Sequence, residues 1–247
     1  MRTYFNFADY YDELMQNAEY NKRCEYIAAI LKNVDHDFGL TLDLACGSGS
    51  LTVELAKKGI DIYGIDASPE MLSKAQQKAA EDEMQILFLC QKMQNIDLYG
   101  TIDTCICTLD SINHLTKQAD VQETFKRVSL FMNPGGYFLF DVNSEYKHRN
   151  ILCNNNFILE TDNVFCVWQN ELLKDGRTVS IQLDFFEKIK DIYKRTSENF
   201  CETAYSDGEI KEMLKNAGLD FVDCFEDMTF NPPNAESQKI FYIAKKP

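Results

Sequence analysis

A chain of 247 residues fits one large domain, or one domain carrying a sizeable insertion. Its 25 Lys+Arg against 39 Asp+Glu leave a formal charge of −14, which disfavours a nucleic-acid surface because such affinity depends on clustered cations releasing counterions. Hydrophobic residues at 45% suffice for a core and exclude wholesale disorder, and no apolar run approaches the roughly 20 residues that span a bilayer. The opening Met1-Arg2-Thr3-Tyr4-Phe5-Asn6 has no signal-peptide stretch, so a cytoplasmic protein is expected. Nine scattered cysteines agree with that compartment. With no C-x-x-C pair, and with His36, His114 and His148 isolated along the chain, neither a disulfide framework nor a metal site is expected.

In chain order, an aromatic-rich segment (Tyr4, Phe5, Phe7, Tyr10, Tyr11) precedes a helical pattern over 20–32. A strand is expected over 40–45, a helix over 51–58, a strand over 60–65, and a helix over 68–80 with Ser68 at the N-cap and Pro69 at its first position. Strands over 85–90 and 102–109 follow. The helix expected over about 117–132 carries Val121, Phe125, Val128 and Met132 on one face, and Asn133-Pro134-Gly135-Gly136 ends it before a strand over 137–142. Strands alternating with helices require right-handed crossovers, hence a mostly parallel sheet.

That rhythm breaks over 150–203, where Ile181, Leu183 and Phe185 alternate with Gln182 and Asp184, and 164–173 faces them across a Lys174-Asp175-Gly176 turn. This stretch reads as an inserted antiparallel sheet with Trp168, Phe185 and Phe186 as its own core, or with one edge of that group facing the substrate. Ser206 and Glu209 form a capping box for a helix through Asn216 that Gly218 stops, and strands over 219–227 and 239–245 follow with no room for a helix between them. They therefore pair antiparallel. The segment Asn231-Pro232-Pro233-Asn234 between them is a turn rather than a base-recognition loop, since it does not follow strand four and lacks the aromatic fourth residue. The resulting division is an N-terminal helical lid over 1–35, a nucleotide-binding unit over 36–149 and 204–247, and the inserted sheet over 150–203.

The chemistry sits in Asp43-Leu44-Ala45-Cys46-Gly47-Ser48-Gly49, where strand one turns into a helix. Glycines there let backbone N–H groups approach a ligand at the carboxyl edge of the sheet. Thr52 stands where a dinucleotide fingerprint has its third glycine, and Asp43 would repel a phosphate but attract a cation. Asp66 ends strand two, 17 residues past Gly49, near the offset of a ribose-binding acid. A ligand with ribose and positive charge but no phosphate is S-adenosylmethionine.

With Phe7-Ala8-Asp9-Tyr10-Tyr11-Asp12, Gly64-Ile65-Asp66-Ala67-Ser68-Pro69, Leu109-Asp110-Ser111-Ile112-Asn113 and Pro134-Gly135-Gly136 in the same order, the chain resembles a class I S-adenosylmethionine-dependent methyltransferase of the small bacterial type with an inserted β subdomain. The resemblance implies a Rossmann-like seven-stranded sheet with an antiparallel last strand. It implies that Ala45, Gly47 and Gly49 lie against the methionyl part, with Asp43 ordering the loop. Asp66 would bind the ribose, Ala67, Ser68 and Met71 would shape the adenine pocket, and Leu109 would present backbone near the sulfonium with Asp110 beside it. Tyr4 and Tyr11 would close over the cofactor. At the adenine end the family usually carries an acid within Gln-Asp-Met, where this chain has Gln91-Lys92-Met93. Lys92 has no acceptor to offer, although the Met93 N–H still serves a ring nitrogen.

Asp110, Asn113, His114, Asp141 and Asn143 fall at the carboxyl ends of strands four and five, where an acceptor would sit, with Asp110 and His114 the candidate catalytic groups. The leading expectation is methylation of a small molecule, by a monomer or a dimer alike. A nucleic-acid or protein methyltransferase, a nicotinamide-dependent oxidoreductase and a cofactor-binding module without catalysis stand as alternatives.

Overall fold

The computed structural model describes residues 19–247. The expectations for Tyr4, Tyr11 and the rest of 1–18 lie outside the described residues. Helix α1 (Tyr20–Asn33) buries Cys24, Ile27, Ile30 and Leu31 on one stripe. Then come β1 (Thr41–Leu44), α2 (Ser50–Lys57), β2 (Ile62–Asp66), α3 (Pro69–Glu81), β3 (Phe88–Cys90), β4 (Ile102–Cys107), α4 (Gln118–Phe131) and β5 (Met132–Asn143). After four further strands, the chain returns through α5 (Asp207–Asn216), which the Ser206/Glu209 capping box opens, to β10 (Asp220–Glu226) and β11 (Lys239–Lys245).

These strands form one seven-stranded sheet in the order β10-β11-β5-β4-β1-β2-β3, with β1 parallel to β2 and β4, and β11 antiparallel to both β5 and β10. The short connection over 227–238 forces that reversal, as the sequence requires. Both faces of the sheet are covered. Phe125, Phe138, Phe140 and Tyr242 pack on one side, and α1 packs on the other with Leu139, Phe241 and Ile243. Strand β5 begins five residues earlier than expected, because Met132 already pairs with Ile102. The ladder then shifts register between Ile102 and Thr104, so the Pro134-Gly135 turn lies inside the strand as an irregularity rather than ahead of it.

Residues 156–203 form a separate four-stranded antiparallel sheet: β6 (Asn156–Glu160), β7 (Val164–Leu172), β8 (Thr178–Ile189) and β9 (Ile192–Thr203). Asp175 makes the β7–β8 turn by accepting from Arg177 N and Thr178 N, so the Asp-Gly hairpin forms where the sequence marks it. One face is apolar, with Val164, Cys166, Ile181, Leu183 and Phe185 buried together. Of the three aromatics expected in that core only Phe185 lies fully inside. Phe186 points to the opposite face, beside Phe165 and Arg195, because neighbouring strand residues alternate sides.

Two glycines of the β1–α2 loop sit at positive φ for different reasons. Gly49 (φ +73°) would place a Cβ 2.6 Å from the Ala75 Cβ of α3, whereas Gly47 (φ +55°) meets nothing within 4 Å. Urea unfolding should therefore show Gly49→Ala losing roughly 2–4 kcal/mol, strain plus clash, and Gly47→Ala only about 1 kcal/mol. Equal losses would mean that helix packing, not just turn geometry, has been misassigned to Gly49.

Candidate active site

The segments at the carboxyl ends of β1, β2, β3 and β4 and the apolar face of the second sheet line a cavity of about 500 Å³. On the first side its lining holds Ala45, Gly47, Asp66, Ala67, Met71, Lys92, Met93, Leu109, Asp110 and His114, so ten of the sequence-derived site residues share one space. Gly49 packs against α3 instead, and Asp43 and Ser68 are buried just behind the surface. From the second sheet come Leu159, Cys166, Trp168, Leu183, Phe200 and Glu202. Trp168, expected in the core of the inserted sheet with an edge toward the substrate, packs on that core and also lines this cavity.

Asp66 fixes the loop geometry. Its Oδ2 accepts from Gly47 N at 2.9 Å and its Oδ1 from Ser68 N at 2.8 Å, so one carboxylate ties the turn after β1 to the turn after β2. Each oxygen keeps a second acceptor site. Ser68 Oγ in turn caps α3 through Met71 N. Asp43 accepts from Thr52 Oγ1 at 2.5 Å, which gives the residue that breaks the dinucleotide fingerprint a positive role. Burial pushes the Asp43 carboxyl up to about 7 against that hydrogen bond, and among the described residues no cation pairs with it.

The turn after β4 is held from beneath. Leu109 (φ +58°) and Asp110 (φ +55°) are both left-handed, and their N–H groups donate to the two oxygens of fully buried Asp141 at 2.8 and 2.6 Å. Arg23 of α1 (3.3 Å) and Lys239 of β11 (3.7 Å) balance the Asp141 charge, and Arg23 also grips Asp227 bidentately at 3.0 Å. Lys239 Nζ lies 2.7 Å from Asp110 Oδ1. Against the burial that would raise it, Lys239 and Lys147 hold the Asp110 carboxyl well below its usual range, so Asp110 is a permanent anion.

Asn143 Nδ2 bridges Asp110 Oδ2 (3.1 Å) and Glu202 Oε2 (3.0 Å), and its Oδ1 accepts from Lys147 Nζ at 2.8 Å. Asn113 locks the joint by donating to the carbonyls of Asn143 and Thr203. Two of the three histidines isolated in sequence converge here: His114 Nε2 is 3.7 Å from Glu202 Oε1 and His148 Nε2 is 3.8 Å from Glu202 Oε2. Sequence reading missed Glu202, Lys147, Lys239 and Gln94. No motif marks Glu202, since the face of β9 that it shares with Phe200 also carries Lys194, Thr196 and Glu198. At the adenine end, Gln91 is spent on Asp97, whereas Gln94 lines the cavity with an amide acceptor that Lys92 lacks.

A Rossmann-like sheet whose first loop presents glycines and an acid, whose second strand ends in a ribose-type carboxylate, and whose last strand runs antiparallel defines a class I methyltransferase architecture. Residues 41–136 match the family model described as a methyltransferase domain. A Bacillus subtilis (strain 168) relative bearing a methyltransferase name, YqeM, is 37% identical over 244 residues, covering 98% of this chain and 97% of that protein. A crystal structure of an S-adenosylmethionine-dependent methyltransferase from Clostridium acetobutylicum ATCC 824 superposes with a TM-score of 0.89 at 33% identity, covering 98% of each chain. The CcbJ methyltransferase of Streptomyces caelestis, at 18% identity and a TM-score of 0.83 over 97% of this chain and 96% of its own, shares the fold. The chain belongs to the S-adenosylmethionine-dependent methyltransferase family. Among the described residues no helix is long and apolar enough to cross a membrane.

The raised Asp43 carboxyl has a stability consequence. In the folded protein it holds a proton up to about pH 7, while the unfolded chain releases it near its ordinary value of 3.8, so stability is lost as pH rises through that window. Asp43→Asn should remove this loss. Its unfolding free energy relative to wild type should climb between those pH values by up to about 4 kcal/mol. A pH-independent difference in denaturant titrations would sink this account.

Proposed function

We propose that the chain transfers the methyl group of S-adenosylmethionine to a small-molecule acceptor held beside the cofactor under the second sheet. The observation that carries this reading is the roof. The apolar face of β6–β9 closes the same cavity that the β1, β2 and β4 loops open, and about 500 Å³ lies within the range of small-molecule sites. A polymer needs an open track, and a charge of −14 adds nothing for a nucleic acid.

The residues present fit the cofactor. The remaining acceptor sites of Asp66 suit two ribose hydroxyls, and Ala67, Ser68 and Met71 border the adenine region with the Met93 N–H for a ring nitrogen. Asp43, Ala45 and Gly47 serve the methionyl end, where an ammonium supplies the charge that Asp43 lacks as a partner. Leu109 lies toward the sulfonium. When bound, the cofactor supplies an activated methyl group on an excellent leaving group. The protein's own contribution is to align the acceptor and exclude water, a proximity effect that can supply ~7–11 kcal/mol. Asp110 acts as a fixed charge, and His114, tilted against Phe200 with ring centroids 5.1 Å apart, borders the acceptor. Binding without turnover is the second reading, favoured by Lys92 at the position where the family carries an acid.

Binding stabilises by RT ln(1 + [L]/Kd), so S-adenosylmethionine should raise the melting midpoint and NAD should not. In calorimetry, Asp66→Ala should weaken S-adenosylmethionine at least about tenfold, and Lys92→Asp should strengthen it by roughly tenfold through one recovered hydrogen bond. No gain from Lys92→Asp would mean that Gln94 already fills that role. Release of S-adenosylhomocysteine in a small-molecule screen separates the enzyme from the binding module.

A further inference from the structure

Glu202 is the cavity residue that the cofactor subsite does not use. It stands at the end of β9, 4% exposed, in the same lining as Leu109 and Asp110. Asn143 donates to it, His114 and His148 face its two oxygens, and the charges of Lys147 and Asp110 reach it from either side. Among the described residues no lysine or arginine stands in ion-pair contact with it. A buried carboxylate without a fixed cation is costly, and a proton-donating or cationic ligand relieves the cost.

His148 supplies a second observation. Its Nδ1 lies 2.8 Å from the Arg177 carbonyl oxygen, which only accepts, so Nδ1 carries the ring proton and Nε2 presents a lone pair. That Nε2 is fully buried, has no hydrogen-bond partner, and faces Glu202 Oε2 across 3.8 Å. Burial disfavours a second proton on the ring. Two acceptors thus oppose one another, and a proton on Glu202 converts them into a donor and an acceptor.

On the open side, Asp110, His114 and Glu202 each bring one ligand atom within 4.8 Å of the others. One nitrogen over the middle of that triangle can lie roughly 2.8 Å from all three, the length of a charge-assisted hydrogen bond. A divalent ion would use the same atoms, but Lys239 already stands 2.7 Å from Asp110 Oδ1, and a double charge beside it is strongly repelled. An ammonium brings a single charge and up to three N–H donors.

We propose that the acceptor is a primary or secondary amine, bound as its ammonium between Asp110 and Glu202 with its apolar part against Trp168 and Phe200, and that Glu202 receives the proton the nitrogen must lose. This rests on the methyltransferase reading above. An N–H bond of the ammonium breaks, the proton passes to a Glu202 carboxylate oxygen, and the pair stays on nitrogen. That pair forms the N–CH₃ bond as the C–S bond breaks and its electrons remain on sulfur, giving S-adenosylhomocysteine and a methylated ammonium. The Glu202 proton faces His148 Nε2 and returns to solvent on product release. Burial, then the neighbouring Asp110 charge, raise the Glu202 pKa from its ordinary value and so toward that of an amine, the direction a general base needs.

Calorimetric titration of the S-adenosylhomocysteine-saturated protein with benzylamine, benzyl alcohol and magnesium chloride tests this. Benzylamine should bind at least about tenfold more tightly than benzyl alcohol, and the preference should fall on acidification as Glu202 takes a proton from solvent. Glu202→Gln should erase the preference while leaving S-adenosylhomocysteine affinity within about twofold. Equal affinities, no binding of either probe, or displacement of benzylamine by magnesium overturns the amine assignment. The wild-type comparison decides even if Glu202→Gln fails to fold. Failure of the wild-type protein to bind S-adenosylhomocysteine at all would instead overturn the methyltransferase reading, so the two failures are distinguishable.

Discussion

One buried carboxylate organises the site. Asp141 is fully enclosed in β5 and receives two backbone N–H groups from a turn that two consecutive non-glycine residues hold at positive φ. Each such residue costs on the order of 1–2 kcal/mol, and bonds to a charged acceptor at 2.8 and 2.6 Å are strong enough to hold both. Asp141 itself is tolerable only because Arg23 and Lys239 stand beside it. An uncompensated buried charge would cost about 3–5 kcal/mol. The position of Leu109 and Asp110 in the cavity therefore depends on Arg23 of α1, 118 positions from Asp141 along the chain, and on Lys239 of β11, 129 positions from Asp110.

That dependence gives the antiparallel last strand a chemical use. In the β5–β11 register Phe241 pairs with Asp141 and Lys239 with Asn143, so running β11 backwards sets its N-terminal lysine at the carboxyl end of β5. A parallel β11 would put the opposite end of the strand there. The second sheet is joined at the same point, since Asn113 donates to the carbonyls of both Asn143 and Thr203 while the Asn143 side chain holds Asp110 and Glu202. The two carboxylates that share this amide are pushed in opposite directions. Lys239 and Lys147 outweigh burial at Asp110, and burial wins at Glu202, where among the described residues no lysine makes an ion pair. Paired acids with separated proton affinities are how one site keeps a fixed charge next to a proton carrier.

Local chemistry was readable from the sequence wherever it is local. Ser68-Pro69, Ser206 with Glu209, Asp175-Gly176 and the Gly47/Gly49 loop each specify a cap or turn within a few residues, and each forms where the chain marks it. Thr52 was legible as a departure but not as the partner of Asp43, because that bond needs the loop already folded. Lys239 and Glu202 carry no motif. Their role comes from strand register and from which face of β9 turns inward, and a one-residue slip would reverse that face. The β5 start was misjudged for a related reason, since Pro134 and Gly135 look like a stop until the shifted ladder with β4 accommodates them.

Charge acts at two separate scales here. At physiological ionic strength exposed acids are screened beyond about 8 Å, so the −14 excess shapes what approaches the molecule more than what binds in its cavity. Inside, Asp43, Asp66 and Glu202 are held in surroundings where burial raises each carboxyl. Screening does little there, and every bond that a cationic ligand makes to them offsets a desolvation cost already incurred in folding. A phosphorylated ligand would add to that cost instead. The buried acids Asp43 and Asp66, with Thr52 in place of a third glycine, thus disfavour a phosphorylated ligand independently of the net charge of the surface.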